Sequence, residues 1–242
     1  MKLEGRVALV TGAGHRVGRA LAVALGAERM TVAVHFNKSR SEADETIGLI
    51  AGAGGKAHPF QFDLSEADAP ARLVSAVVKQ LGPLHVLINS AAVMKRQPFG
   101  TVTPADWDET MSLNLRAPFF IAQESAAVMT EGGAIVNISD LAAFETWPSY
   151  IPHSVSKAGI VKMTEGMARV LAPGIRVNAI APGAVLLPDE WGEKTGERLS
   201  DTTPLHRLGD PQDVVDAMLY LLRAEYVTGE TIVVDGGRRI RK

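Results

Sequence analysis

Short apolar runs alternate with longer stretches of helical periodicity along the whole chain. The apolar runs have no polar face, as expected for strands covered on both sides of a sheet. We predict strands at residues 7–11, 32–36, 57–62, 86–88, 134–138, 176–180 and 231–234. The helical pattern covers residues 17–28, 42–51, 70–81, 104–129, 155–171 and 211–223. This alternation predicts one α/β domain over residues 1–242, with a doubly wound parallel seven-stranded sheet and helices on both faces.

The stretch 184–205 departs from this alternation. It contains prolines, glycines and charges of both signs, with no helical or strand period. Such segments often form mobile covers over a site, so we expect a substrate flap here. A plain surface loop is the alternative.

Composition and charge narrow the class of protein. The 242 residues have a formal net charge of −2, and 46% of them are hydrophobic. The chain has no cysteine, which excludes disulfides, thiolate metal sites and cysteine nucleophiles. No apolar stretch approaches the ~20 residues of a membrane helix. We therefore expect a cytoplasmic protein with a small-molecule substrate, no nucleic-acid partner and no membrane partner. The basic tail is interpreted as a solvated terminus; it comprises Arg238, Arg239, Arg241 and Lys242.

Histidines do not indicate a metal site. His15, His35, His58, His85 and His206 are scattered and lack metal-ligand spacing.

A glycine-rich segment follows the first predicted strand directly. It reads Thr11-Gly12-Ala13-Gly14-His15-Arg16-Val17-Gly18 and leads into the first helix. Glycines allow the backbone to approach a pyrophosphate, and a helix N-terminus offers unpaired N–H groups. Between a strand and a helix, this pattern predicts a dinucleotide site and a Rossmann fold.

The end of the second strand predicts the coenzyme. NAD-binding sites place an acid there for the ribose 2′-hydroxyl. This chain has His35-Phe36-Asn37-Lys38-Ser39-Arg40, with no acid before Glu42. Cationic and hydroxyl donors suit a 2′-phosphate, so we predict NADP(H). A solvated basic turn is the alternative.

These motifs resemble the short-chain dehydrogenase/reductase family, whose loop reads TGxxxGxG. Arg16 stands where the middle glycine usually is, and this variant is similar to the loop of pteridine reductases. The resemblance implies that Arg16 reaches a cofactor phosphate and also faces the substrate. Further matches are Asp63-Leu64, Asn89-Ser90-Ala91, Asn114 and Pro182-Gly183. The predicted cofactor contacts are Gly12, His15, Arg16, Val17, Gly18, His35, Asn37, Lys38, Ser39, Asp63, Leu64, Asn89, Ser90, Ala91, Lys157, Pro182 and Gly183.

The catalytic positions depart from the family. The resemblance implies a Ser, a Tyr and a Lys, with Asn114 supporting a proton relay. Lys157 matches the Lys, but His153 stands four residues before it and Asp140 thirteen before that. Pteridine reductases also carry Asp at that place, paired with Tyr. Spacing of four residues puts His153 and Lys157 on one helix face, and an imidazole donates or accepts protons near neutral pH.

Three alternatives follow for the proton. His153 is the acid, oriented by Asp140; Asp140 or a relayed water is the donor; or the site binds NADP(H) without turnover. We expect an NADPH-dependent reductase acting on a carbonyl or C=N bond of a small, pterin-like or other substrate. An NADP(H)-binding sensor or scaffold is the alternative. Relatives assemble through the helices at 104–129 and 155–171 and the C-terminal region, which implies a homotetramer.

For several side chains expected near the site, both a functional and a structural role are possible interpretations. Trp147, Phe144, Met94 and Trp191 are candidates for a substrate pocket or for core packing. Tyr150 is interpreted as a wall residue. Lys95-Arg96 is interpreted as a solvated pair, with attraction of an acidic substrate as the alternative.

Overall fold

A seven-stranded parallel sheet forms the centre of the molecule, a computed structural model that describes residues 1–187 and 192–240. The predictions for Trp191, Arg241, Lys242 and part of 184–205 fall outside the described residues. The strands are β1 Val7–Val10, β2 Thr31–Phe36, β3 Lys56–Gln61, β4 Leu84–Asn89, β5 Met129–Ile138, β6 Ile175–Pro182 and β7 Thr231–Val234. Their order is β3-β2-β1-β4-β5-β6-β7, which confirms the predicted doubly wound fold.

Helices cover both faces of the sheet. They are α1 Arg16–Ala27, α2 Arg40–Gly52, α3 Ala69–Leu81, α4 Pro104–Met111, α5 Ala117–Val128, α6 Ile151–Leu171, α7 Gly192–Asp201 and α8 Pro211–Arg223. One 3₁₀ turn follows β5 at Leu141–Ala143, and another follows β7 at Arg238–Ile240. No described helix has the length and apolar character needed to cross a membrane.

The core lies in two layers, one on each side of the sheet. Successive strand residues point to opposite faces, so Val10 packs into one layer and Leu9 into the other. The first layer contains apolar residues of α1, α2 and α8, such as Leu25 and Met218. The second contains those of α3, α5 and α6, such as Ile121. Strands apolar on both faces are the direct consequence of this covering.

Two predicted regions differ most from the structure, beyond small shifts in element bounds. The helix expected at 104–129 is interrupted by a π-helical turn at Ser112–Arg116, and β5 already begins at Met129. The stretch 184–205 was predicted to be irregular, yet it contains α7. Leu199 is the one large apolar residue of α7 and is buried. A short, charged helix with one apolar anchor has no readable apolar stripe, which explains the wrong prediction.

Candidate active site

The glycine-rich loop joins β1 to α1 with no room for side chains at two positions. Gly12 has φ +66°, and a Cβ there would lie 2.9 Å from Ala91 Cα. A Cβ on Gly18 would lie 2.1 Å from the carbonyl oxygen of Gly12. The loop therefore folds back on the first turn of α1 and onto the segment after β4. This close backbone packing is what a dinucleotide-binding turn requires.

The N-terminus of α1 opens into a cleft. His15 is the N-cap, with φ −151° and no capping hydrogen bond from its side chain. The first turn of a helix has N–H groups without intrahelical partners, which makes it an anion site. The loop residues that line the cleft are Gly12, His15, Arg16, Val17 and Gly18.

His35 lies beneath the glycine-rich loop and is hydrogen-bonded to it. Its Nδ1 accepts a hydrogen bond from the Gly12 N–H at 3.1 Å, and its Nε2 lies 3.1 Å from the Phe62 carbonyl oxygen. Both contacts are satisfied by a neutral ring with the proton on Nε2. Burial lowers the pKa of His35 to about 4, which favours that neutral form. The structure thus places this predicted cofactor residue beneath the loop, with both ring nitrogens engaged.

The turn after β2 lies beside the same loop. Asn37 and Lys38 are exposed, and a Cβ on Gly14 would lie 3.1 Å from Ser39 Oγ. Arg40 is engaged elsewhere, since its Nε donates to Asp44 Oδ2 at 2.9 Å. The predicted phosphate-recognising turn is therefore adjacent to the glycine-rich loop.

Two further predicted contacts follow β3. Asp63 Oδ1 accepts hydrogen bonds from the Ser65 hydroxyl at 2.6 Å and from the Ser65 N–H at 2.9 Å, and these two bonds lower the pKa of the Asp63 carboxyl. Leu64 is buried in the core.

The segment after β4 packs against the end of β1, beside the glycine-rich loop. The N–H groups of Ser90 and Ala91 donate to Thr11 Oγ1 at 3.0 and 3.1 Å. Asn89 is buried, and its Nδ2 donates to Asn137 Oδ1 at 2.9 Å. The structure therefore places Asn89 in the interior as a link between β4 and β5, whereas Ser90 lines the cleft.

The cleft has a volume of about 540 Å³. The glycine-rich loop, the segments after β4, β5 and β6, and the start of α6 line it. It thereby gathers Asp140, His153, Lys157, Pro182 and Gly183 beside the loop. Carboxyl ends of parallel strands meet at one edge of the sheet, which explains this convergence.

His153 and Asp140 face one another inside this cleft. His153 is 4% exposed, and its Nε2 lies 3.6 Å from Asp140 Oδ2. Its Nδ1 lies 3.2 Å from the Val93 carbonyl oxygen and 3.5 Å from Asn114 Nδ2. The shorter contact is to a group that can only accept, which favours the tautomer with a proton on Nδ1. Nε2 is buried and has no hydrogen-bond partner in the described part of the chain. An unpaired buried ring nitrogen aimed at a carboxylate in a cleft is available for proton exchange.

Lys157 lies one helical turn after His153. Its ammonium is buried and donates to the Ile138 carbonyl oxygen at 2.9 Å. Burial lowers the pKa of Lys157 to about 8, against the opposing attraction of Asp140. Lys157 thus brings a titratable cation into the base of the cleft.

Asn114 sits in the π-helical turn and fixes Val93. Its Oδ1 accepts from the Val93 N–H, and its Nδ2 donates to the Val93 carbonyl, both at 2.8 Å. Nδ2 also donates to Ser156 Oγ at 3.2 Å. The amide is buried and does not line the cleft. Asn114 therefore positions the carbonyl that sets the His153 tautomer, and π turns often mark such sites.

Comparison with known proteins agrees with this geometry. The family model described as enoyl-(acyl carrier protein) reductase matches residues 12–239. A 3-oxoacyl-[acyl-carrier-protein] reductase of Thermotoga maritima is 33% identical over 98% of this chain and 99% of its own length. The chain belongs to the short-chain dehydrogenase/reductase family. It is therefore related to NAD(P)(H)-dependent oxidoreductases.

Solved members of the short-chain dehydrogenase/reductase family share the whole architecture. A short-chain alcohol dehydrogenase of Sinorhizobium meliloti superposes with a TM-score of 0.93 at 33% identity, with 100% of both chains covered. The landomycin C-6 ketoreductase LanV, solved with bound NADP and rabelomycin, has a TM-score of 0.90 at 30% identity. That match covers 99% of this chain and 98% of LanV.

The side chains predicted to border the substrate fall into two groups, those that line the cleft and those that do not. Met94, Trp147 and Tyr150 line the cleft, whereas Phe144 does not. Phe144 instead lies under Arg239, whose guanidinium carbon is 5.1 Å from the ring centroid. Trp147 and Tyr150 meet edge to face, with ring centroids 6.1 Å apart.

Two cationic residues of the cleft were not predicted from the sequence. Arg238 was interpreted as part of a solvated tail, but it lines the cleft, and its Nε lies 4.0 Å from Glu145 Oε2. Arg198 of α7 also lines the cleft. Both approach it through long-range packing that has no local signal. Among the described residues, no group of three His, Asp or Glu side chains is arranged for a metal ion.

Proposed function

We propose that this protein is an NADPH-dependent reductase of a small ketone or imine, with Asp140 and His153 as its proton-donating pair. The observation that carries the proposal is the buried, unpartnered Nε2 of His153 facing Asp140 in the cleft. Relatives named as oxoacyl reductase and ketoreductase favour a ketone. The Arg16 loop keeps pterin-like heterocycles in the substrate panel.

The described residues fit the cofactor. The first turn of α1 offers N–H groups without intrahelical partners, and Gly12, Gly14 and Gly18 leave the backbone of the loop accessible because they carry no Cβ. Lys38 and Ser39 lie next to this loop and suit a 2′-phosphate, whereas Arg40 is paired with Asp44. Pro182, Gly183 and Lys157 would border the nicotinamide and ribose. When bound, NADPH supplies the hydride.

The proton comes from the pair. Val93 holds the Nδ1 proton, so the edge of His153 that faces Asp140 is Nε2. A bare Nε2 opposite an ionised carboxylate would place two acceptors together at 3.6 Å. One proton between them removes this conflict. On reduction, this proton goes to the substrate oxygen or nitrogen, and a solvent proton replaces it.

Lys157 stabilises the charged states of this pair. Its ammonium favours the ionised carboxylate that Asp140 becomes when the proton leaves. Because Lys157 donates to the Ile138 carbonyl at 2.9 Å, its position does not depend on the substrate. It would also hold the ribose hydroxyls by its remaining donors.

The segment after β6 supplies the proposed substrate flap. Arg16 donates through its guanidinium to the carbonyl oxygens of Leu186 and Leu187. Both leucines line the cleft, as do Thr195 and Leu199 from α7. The first residues of the proposed flap therefore form part of the cleft wall, and Arg16 of the glycine-rich loop is hydrogen-bonded to them.

Assembly as a homotetramer is part of the proposal. Phe119 and Phe120 on α5 are 42% and 40% exposed, and Val155 and Val170 on α6 are 44% and 75% exposed. Exposed apolar side chains on these two helices support association through them. We also propose that the protein works in the cytoplasm.

NADPH oxidation tests the proposal directly. Wild type, His153→Ala, His153→Tyr and Asp140→Asn are assayed on ketones, imines, quinones and pterins. We expect His153→Ala and Asp140→Asn to lose ~10²-fold or more in kcat with an unchanged Kd for NADPH. Tyr150→Phe is the matched control, because it removes a hydroxyl from the same cleft. Tight NADPH binding with no turnover by wild type would instead identify a sensor or scaffold.

Coenzyme choice has its own test. Wild type should prefer NADPH over NADH, and Lys38→Gln should reduce that preference about tenfold. Arg40→Gln is the control, since its guanidinium already binds Asp44. A wild type that prefers NADH would contradict the assignment.

A further inference from the structure

Two arginines of the cleft take no part in the proposed cofactor binding or proton transfer. Arg96 follows β4, and Arg198 lies on α7; both are exposed and line the cleft. Within residues 1–187 and 192–240, neither guanidinium has a hydrogen-bond or ion-pair partner. The other cleft arginines are engaged, Arg16 with the Leu186 and Leu187 carbonyls and Arg238 with Glu145.

Arg96 lies beside the aromatic wall of the cleft. The N–H of its neighbour Gln97 donates to the Ser149 carbonyl at 2.7 Å. This bond ties the segment carrying Arg96 to the segment carrying Trp147 and Tyr150. Arg96 is therefore held at the substrate wall and not at the glycine-rich loop.

Arg198 comes from the flap. Its neighbour Leu199 is buried, and a Cβ on Gly196 would lie 3.4 Å from Leu187 Cδ1. These contacts seat α7 on the segment after β6, which lines the cleft. Arg198 is thus positioned by a packed helix. It does not belong to any segment assigned to the cofactor.

The charges of the cleft are unbalanced. Asp140 is the single carboxylate among its described lining residues, and it already faces His153 and Lys157. Arg96 and Arg198 add two positive charges that nothing in the described lining neutralises. The wall around them is apolar, with Met94, Trp147 and Leu187.

We propose that the substrate carries an anionic group, a carboxylate or a phosphate, on an apolar body, and that Arg96 and Arg198 bind this anion. The inference rests on the proposed reductase function and names its substrate class. Guanidinium groups pair with both oxyanions through two parallel N–H···O bonds. The apolar wall takes the body of the substrate, and the group to be reduced reaches Asp140 and His153.

A matched pair of ketones tests the charge alone. The probes are 4-acetylbenzoate and its methyl ester, with calorimetric titration into the NADP⁺-loaded protein and NADPH oxidation as readouts. In Arg96→Gln/Arg198→Gln we expect Kd and KM for the acid to rise about tenfold or more, with kcat nearly unchanged. The ester should bind the variant and wild type equally, and salt should weaken the acid only.

Arg29→Gln is the matched control. Arg29 is exposed and precedes β2, at the end of the sheet opposite to the cleft. It should leave both ketones unaffected. A second pair, S-acetoacetyl-pantetheine with and without its 4′-phosphate, distinguishes a phosphate from a carboxylate as the bound anion.

The outcomes separate the two proposals. Arginine-dependent binding of an anionic probe without turnover supports the anion site and contradicts the reductase. Turnover of neutral ketones, with acids unaffected by the double variant, overturns the anion site and leaves the reductase standing. Failure of all anionic probes to bind the loaded wild type at millimolar concentration also overturns the anion site.

Discussion

Replacement of Lys157 by Met should stabilise the protein while it removes activity. The buried ammonium has its pKa lowered from 10.5 to about 8 by desolvation. A difference of 2.5 pKa units, at 1.36 kcal/mol per unit, makes the charged form about 3 kcal/mol less favourable in the folded state. Methionine fills a similar volume without the charge. It loses the hydrogen bond to the Ile138 carbonyl, worth about 1 kcal/mol, so the net gain at pH 7 is about 2 kcal/mol.

The pH dependence of the free energy of unfolding follows from the same lowered pKa of Lys157. Because the folded pKa is the lower one, the unfolded chain binds more protons between pH 8 and 10.5, and stability rises with pH there. The destabilisation by Lys157 is fully present below pH 8 and fades toward pH 10.5. The advantage of Lys157→Met should therefore shrink by about 2 kcal/mol between pH 7 and pH 10.

Urea unfolding of the cofactor-free protein measures this effect. Wild type and Lys157→Met are compared at one protein concentration across pH 7–10, so that assembly does not change the comparison. Lys162→Met is the control, because Lys162 is an exposed lysine on the same helix, paired with Glu165 at 2.6 Å. It should show no comparable gap. A Lys157→Met variant less stable than wild type at pH 7, or a gap independent of pH, would refute the reasoning.

Three further predictions concern the loop and its supports. Gly18→Ala should weaken NADPH binding at least tenfold in a fluorescence titration, because its Cβ would lie 2.1 Å from the Gly12 carbonyl oxygen. His35 stays neutral when folded, so wild type should lose about 2 kcal/mol of stability between pH 7 and pH 5, a loss absent in His35→Gln urea curves. Asn114→Ala should lower kcat about tenfold or more with the Kd for NADPH unchanged in stopped-flow assays, because Val93 loses both amide contacts.

The sequence predicts the frame of this protein because the relevant physics is local. Strands buried on both faces leave continuous apolar runs, and the two-residue alternation of Leu9 and Val10 decides which layer each one enters. The glycine-rich loop is equally readable from its spacing. Gly18 answers a steric demand from the nearby Gly12 carbonyl oxygen, whereas the demand at Gly12 comes from Ala91 after β4. The π turn, the early start of β5 and the helix α7 are the main departures from the predicted frame.

The site is less readable because its contacts cross the fold. His35 and Asn89 both lie near strand ends, where cofactor contacts are expected. The structure gives each of them partners inside the protein, across 23 residues to Gly12 for His35 and across 48 to Asn137 for Asn89. Position along a strand determines the face of the sheet on which a side chain lies, but it does not identify the distant group that the side chain meets there.

The departures at residues 140 and 153 form one unit in the proposed function. The imidazole needs a fixed tautomer, and Asn114 supplies it indirectly by holding the Val93 carbonyl against Nδ1. It also needs a partner for the remaining nitrogen, and Asp140 is the group at 3.6 Å. A serine at 140 would offer a hydroxyl but no charge to retain the proton on Nε2. An aspartate beside a histidine is therefore the pairing in which each residue gives the other its chemical role.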